Sequence, residues 1–235
     1  MQGMLETAFA NPWETLRRIL DDPLHPGGRE ATAELLDRAA VTTGTQVADI
    51  GCGAGESLSV ARERGADVVG VDHEPSGKNT IRGDMRYLPF PEHSVEVVLA
   101  ECVMCLTEQH KTALEETARI VEPDGYLALS DVTVEGRLPD LPAPITTGLC
   151  LETTQSRHET IETIEAAGYD VIDVQDHRHD ILAMQEELEN KVDYEQILGL
   201  LGERGQRLLD GIHEAEAAVA EGRIGYISVV AQRSV

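Results

Sequence analysis

Residues 47–55 read VADIGCGAG, an apolar strand that runs straight into glycines at 51, 53 and 55, with a helical pattern opening at Glu56. Glycine accepts left-handed backbone and carries no Cβ, so a strand, glycine turn and helix in succession let a ligand lie against bare main chain. Residues 68–72, VVGVD, form the next strand, which ends in Asp72. An acid about 20 residues past such a turn is placed to accept hydrogen bonds from the two hydroxyls of a ribose.

Outward from this unit, strands and helices alternate, the pattern of a mostly parallel sheet covered on both faces. Arg29–Ala40 is an amphipathic helix with Ala33, Leu36 and Ala40 on one stripe. Val95–Ala100 is a near-continuous apolar strand, followed by a helix over Glu108–Val121 that Pro123-Asp124-Gly125 stops, and then a strand over Tyr126–Val132. Gly136–Pro144 holds three prolines and reads as an irregular loop. Ser156–Ala167 is a helix with Ser156 and Glu159 as its capping box and Gly168 as its stop, and Tyr169–Val174 is a strand. Ile181–Glu221 reads as helical throughout, and Tyr226–Ala231 is the last strand. The expected fold is α/β: a doubly wound, seven-stranded, mostly parallel Rossmann-like sheet with a helical cap before the last strand. Residues 1–235 would form one domain, with 1–28 an N-terminal lid segment and 177–222 a cap insertion. Only HEPSGKN separates Asp72 from Thr80, too short for a crossover helix. The third strand, around Ile81, is therefore either short or covered from elsewhere, with a helix over Trp13–Leu20 as one candidate.

The chain has 235 residues, 41% of them hydrophobic, enough for a sizeable core, so its high charge does not signal disorder. Asp and Glu number 43 against 19 Lys and Arg, a net charge of −24 that repels phosphate backbones and anionic lipid. Nucleic acid and membrane are thus excluded as expected partners, and a small molecule remains. No apolar run approaches the roughly 20 residues of a membrane span, and no signal segment is visible, so a cytoplasmic location is expected. Lysines occur only at 78, 111 and 191. An acidic, lysine-poor surface on a folded core suits high intracellular salt, a halophilic trait. Cys52, Cys102, Cys105 and Cys150 read as free thiols.

The ligand of the glycine turn follows from charge. A pyrophosphate carrier needs a third glycine where Glu56 stands, and an acid there repels phosphate. A sulfonium nucleoside has no phosphate and a positive centre, so carboxylates favour it. VADIGCGAG, VVGVD, GDMRYLPFPEHSVEVVLAECV and PDGYLALSDV together resemble a class I S-adenosylmethionine-dependent methyltransferase over residues 25–135. The resemblance implies that Gly51, Gly53 and Gly55 line the methionine portion of S-adenosylmethionine and that Asp72 holds the ribose. It further implies that Asp84 and the backbone of Met85 face the adenine amine and that Glu101 floors the site. Asp49, Cys52 and His73 fall in the same cofactor-binding set. His25 and Gly28, in the turn before the first helix, would lie near the cofactor's carboxylate end; the same turn also serves simply to start a helix.

The later segments are similar to arsenite methyltransferases: Cys102 after the fourth strand, Ser130-Asp131-Val132, Leu138-Pro139, and Gly148-Leu149-Cys150-Leu151. By that resemblance Cys102 and Cys150 are catalytic, a soft thiolate pair for a trivalent metalloid whose lone pair attacks the methyl group. Cys105 or an external thiol would complete a three-sulfur shell. The family's further N-terminal cysteine is missing, since none precedes Cys52. An oxygen, nitrogen or carbon acceptor with Glu101 or His25 as a weak base stays open, as does a non-catalytic cofactor-binding protein. Cys102 and Cys105 have no second pair to close a zinc site, so no metal is expected. His177, His179 and Asp180 read as solvated loop residues, and Glu186, Glu187 and Glu189 as an exposed helix face.

Overall fold

A computed structural model describes Thr15, Ile19 and residues 24–234. Most of the expected helix over 13–20, like most of the segment 1–28, lies outside the described residues.

The elements run α1 (Gly28–Arg38), β1 (Gln46–Ile50), α2 (Glu56–Glu63), β2 (Asp67–Asp72), β3 (Thr80–Arg82), β4 (Val95–Glu101), a 3-10 turn (Met104–Leu106) and α3 (His110–Ile120). They continue β5 (Val121–Val134), α4 (Ala143–Gly148), α5 (Arg157–Ala166), β6 (Tyr169–Asp176), α6 (Arg178–Lys191), α7 (Tyr194–Gly199), α8 (Glu203–Ala220) and β7 (Ile224–Arg233). One seven-stranded sheet results, in the order β3-β2-β1-β4-β5-β7-β6. Strands β1 to β5 pair in parallel, and β7 pairs antiparallel with both β5 and β6. The expected seven-stranded, doubly wound sheet is thus present.

The central strands are apolar on both faces because helices cover both. In β4, Val97 and Leu99 join Leu35, Leu36, Val60 and Ala61 on the side of α1 and α2. Val98 and Ala100 join Leu114, Ile120 and Ile164 on the side of α3 and α5. The alternation is the period of two of a strand. Burial of each of these Leu or Ile side chains contributes about 1.5–3 kcal/mol.

The sheet face left open by the missing crossover helix is closed from an unexpected direction. β3 is three residues long, and Met85, Leu88 and Phe90, just beyond it, pack with Val69 and Val71. The expected continuous helix over 181–221 is three helices, broken at Val192-Asp193 and at Leu200 to Gly202. The first break is a helix start, since Asp193 accepts the Gln196 N–H at 2.9 Å; at the second, Gly202 has φ +58°. The proline loop is also shorter than expected: it ends at Pro142, and Pro144 sits in the first turn of α4, where its missing N–H costs nothing. β5 runs through Pro123-Asp124-Gly125, which bulges out between the pairs Val95–Val121 and Val97–Tyr126. The capping box of α5 is present, with both Ser156 and Glu159 taking part. Among the described residues no helix is long and apolar enough to cross a membrane.

Candidate active site

The carboxyl ends of β1, β2 and β4 meet at one point, where the glycine turn begins. Gly51, Gly53 and Gly55 have φ of +78°, +51° and +87°, all left-handed. A Cβ on Gly51 would stand 2.4 Å from a Val103 methyl, so position 51 needs glycine twice over, for its backbone angle and for space. Asp72 closes the turn from β2: its Oδ2 accepts the Gly53 N–H and its Oδ1 the Glu74 N–H, both at 2.8 Å. The short loop after Asp72 folds back on the turn, bringing Gly77 so close that a Cβ there would meet the Ala54 carbonyl at 2.5 Å.

Beneath the turn lies Asp49, only 3% exposed, with an Oδ2 that has no hydrogen-bond partner. Burial pushes its carboxyl well above the usual range, and the neighbouring Glu101, Asp72 and Glu56 push it further. These acids, drawn from four places in the chain, face one another across the turn. A carboxyl in this setting is held toward its neutral form, and a nearby cation is the partner that would let it ionise.

Glu101 ends β4 with a side chain 4% exposed. Ser57, in the first turn of α2, donates to its Oε2 at 2.7 Å, and Thr32 of α1 lies 3.1 Å from both oxygens. His25 Nε2 stands 3.6 Å from Glu101 Oε2 and 3.2 Å from the Thr32 hydroxyl. The turn before α1 therefore does reach the carboxyl end of the sheet through His25, whereas Gly28 supplies the left-handed start of the helix. Thr32 and Ser57 carried no motif signal. Their roles arise only when α1 and α2 are brought onto one carboxylate.

The remaining cofactor candidates are more dispersed. Cys52 turns its sulfur onto β2, where a Cβ on Gly70 would stand 2.5 Å from it, and burial beside Asp49 and Asp72 pushes its thiol up to about 12. Its side chain is a packing group, and only its backbone faces the turn. His73 is exposed. Asp84 is held by Arg86 at 2.5 Å, which lowers its carboxyl to about 2. Arg86 escaped the sequence reading although it lies within the quoted motif. Met85 packs into the core below.

Beyond Glu101 the surroundings change to apolar. Cys102, Cys105 and Cys150 share one cluster with Val132, Leu141, Ala215, Ala218, Val219, Ile224 and Tyr226. Cys102 and Cys150 have φ of +50° and +56°, uncommon values for residues with a side chain. The Cys102 thiol donates to the Tyr226 hydroxyl at 3.6 Å, and that hydroxyl donates to Ser130 at 2.8 Å. The expected thiolate pair of Cys102 and Cys150 is corrected in its charge state. Cys150 lies beside both other thiols and raises each of them. In addition, burial and the nearby Asp131 and Cys150 raise Cys102 well above the usual thiol range, so it is a thiol rather than a thiolate at neutral pH. Asp131, which the sequence reading treated only as part of a motif, is 4% exposed and accepts N–H groups from Cys105 at 3.0 Å and Val132 at 2.8 Å. Burial nevertheless lifts its carboxyl to about 6. Among the described residues no group of three His, Cys, Asp or Glu side chains is arranged to hold a metal ion.

His177 and Asp180 are not solvated, contrary to expectation. His177 is 8% exposed, with ring nitrogens 3.1 Å from Asp180 Oδ2 and 2.7 Å from Ser228 Oγ. Glu186, Glu187 and Glu189 are exposed, as expected.

A doubly wound sheet with one antiparallel strand placed before its last, and a left-handed glycine turn facing the acid at the end of β2, define a protein of Rossmann-like architecture. Residues 48–129 match the family model described as a methyltransferase domain. It is similar to the methyltransferase GfsG of Streptomyces halstedii, 28% identical over 66% of this chain and 63% of that protein. It is also similar to the arsenite methyltransferase of Halobacterium salinarum, 29% identical over 58% of this chain and 40% of that protein. The chain thus spans less than two thirds of either relative. Its fold matches phosphoethanolamine N-methyltransferase 2 of Haemonchus contortus, solved with S-adenosyl-L-methionine, at TM-score 0.75 and 18% identity over 97% of this chain and 57% of that one.

Proposed function

We propose that this chain is an S-adenosylmethionine-dependent methyltransferase acting on a small molecule. The observation that carries this reading is the Asp49 carboxyl group, buried with an unpaired oxygen among three further acids below a glycine turn, an acid that only a neighbouring positive charge would hold ionised. A sulfonium nucleoside fits that site, because its positive centre offsets the clustered charge and no phosphate meets Glu56. Bound there, the cofactor supplies an electrophilic methyl group on a positively charged sulfur. Asp72 keeps lone pairs free for the ribose hydroxyls, and Asp49 and Glu101 stabilise the positive end. His25 and the turn around it shut out water from that end. The catalytic demand on the acceptor side is to hold a desolvated nucleophile in line with the methyl group.

The convergence of Cys102, Cys105 and Cys150 under the cap favours a soft acceptor, a thiol or a trivalent metalloid such as arsenite. Protonated thiols suit a neutral metalloid hydroxide. Each sulfur–metalloid bond forms as one hydroxide leaves, and the thiol proton departs with it as water. The metalloid lone pair then forms the bond to carbon while the carbon–sulfur bond breaks toward sulfur.

Methyl transfer to arsenite in the presence of thiol, run beside a panel of metabolites, tests the reading. Cys102→Ser and Cys150→Ser should each lower arsenite methylation more than 100-fold while binding of the cofactor persists. Turnover of a metabolite that survives both substitutions would instead establish an oxygen, nitrogen or carbon acceptor. Cofactor binding without turnover on any acceptor would leave a non-catalytic binding protein.

A further inference from the structure

The turn His25-Pro26-Gly27-Gly28 is gripped from two sides. On one side His25 meets Glu101 and Thr32. On the other, a Cβ placed on Gly27 would stand 2.9 Å from Asp180 Oδ2, so Gly27 lies directly against that carboxylate. Asp180 belongs to the first turn of α6, the helix that opens the cap. Its position is set by several contacts. Its N–H donates to the His177 carbonyl at 2.9 Å, and its carboxylate lies against the His177 ring, which is itself anchored on Ser228 of β7. Arg38 of α1 reaches the same Ser228 hydroxyl and pairs with Asp173 of β6. The next residue of α6, Ile181, packs against the cluster that contains Cys105 and Cys150. One helical turn therefore touches the cofactor-side turn with Asp180 and the thiol cluster with Ile181.

We propose that Asp180, held by His177, is a positioning residue for the cofactor site. It presses the His25–Gly28 turn onto Glu101, and through Ile181 it links that turn to the acceptor side of the molecule. This inference rests on the proposed cofactor site. Asp180 touches no reacting atom in this scheme and acts only through Gly27 and His25. Removal of the carboxylate leaves Gly27 without its backing, and His25 loses the restraint that keeps it near Glu101.

Calorimetric titration with S-adenosylhomocysteine, which binds without turnover, tests this. Asp180→Ala should weaken binding about tenfold and His177→Gln by a smaller factor, whereas Asp180→Asn, which keeps shape and hydrogen bonding, should stay within threefold. Glu187→Ala, on the exposed face of the same helix, should bind as the unsubstituted chain does. In steady state the Asp180→Ala variant should raise KM for the cofactor with little change in kcat, a split that general destabilisation does not produce. Hydrogen exchange on the unsubstituted chain gives a readout that needs no variant: the homocysteine nucleoside should slow exchange of amides 178–182 as well as 25–32. Unchanged affinity in Asp180→Ala, or unaltered exchange at 178–182, overturns the inference alone. Failure of the unsubstituted chain to bind the nucleoside overturns the cofactor reading, and this inference with it.

Discussion

The two halves of the sheet solve different problems with different means. Around β1 to β4 the working parts are main chain and clustered acids: three left-handed glycines, Asp72 clasped by two N–H groups, and Asp49 with an unpaired Oδ2. Around β5 to β7 they are side chains in an apolar setting, three thiols and Asp131 beneath helices of the cap. The first half gathers acids around an unpaired carboxyl oxygen. The second half is packed and apolar, with a small pocket of about 20 Å³ beside Cys105 and Asp131, room for a single water. Main chain thus dominates one side, and side chains the other.

The most severe challenge to this contrast is Gly51→Val. It forces a β-branched residue to φ +78° against Val103, and should cost about 3 kcal/mol or more in stability. Nucleoside binding should fall more than 100-fold; calorimetry with near-normal affinity would show that the turn is not the receptor. Next in size is a pH effect from the other half. Asp131 binds its proton more tightly folded than unfolded, since its carboxyl rises from an ordinary 3.8 to about 6. Stability from this group is complete below pH 4 and is lost as pH climbs to 6, a fall of about 3 kcal/mol. Asp131→Asn should remove that part of the slope in urea unfolding, with or without cofactor. An unchanged slope would mean that Asp131 does not titrate in this window. The smallest effect separates charge from shape in the first half. Asp49→Asn should weaken S-adenosylmethionine about tenfold more than S-adenosylhomocysteine, about 1.4 kcal/mol, because only the former carries a sulfonium. Equal losses for both would assign Asp49 to packing.

The half with the contiguous motif was the readable one. VADIGCGAG and VVGVD each hold a strand and a turn within a few residues, so local pattern sufficed for the order of elements and for bringing Asp49, Gly51 and Asp72 to one end of the sheet. Glu101 was readable as a strand end, but its partners Thr32 and Ser57 were not, because they arrive on separate helices. The gathering of Cys102 and Cys105 beside Cys150 joins positions more than 40 residues apart, which no local pattern around either segment could report. His177 was misjudged for a similar reason. A polar residue after a strand is solvated by default, and only the return of β7 with Ser228 buries it. The breaks in the cap and the cover over β3 depended on Asp193 and on Leu88 with its neighbours, single residues with no periodic signature.

The placement of β7 also orders events during synthesis. Strands β5 and β6 never touch; the segment 224–233, translated after the whole cap, is wedged between them and supplies hydrogen bonds to both. A nascent chain that has emerged only through Asp176 can pair β1 to β5, yet it must keep β6 and an unfilled edge of β5 waiting. A ribosome stalled inside the cap would thus display a partly assembled sheet with a gap one strand wide, the form of this chain most open to chaperones and to aggregation.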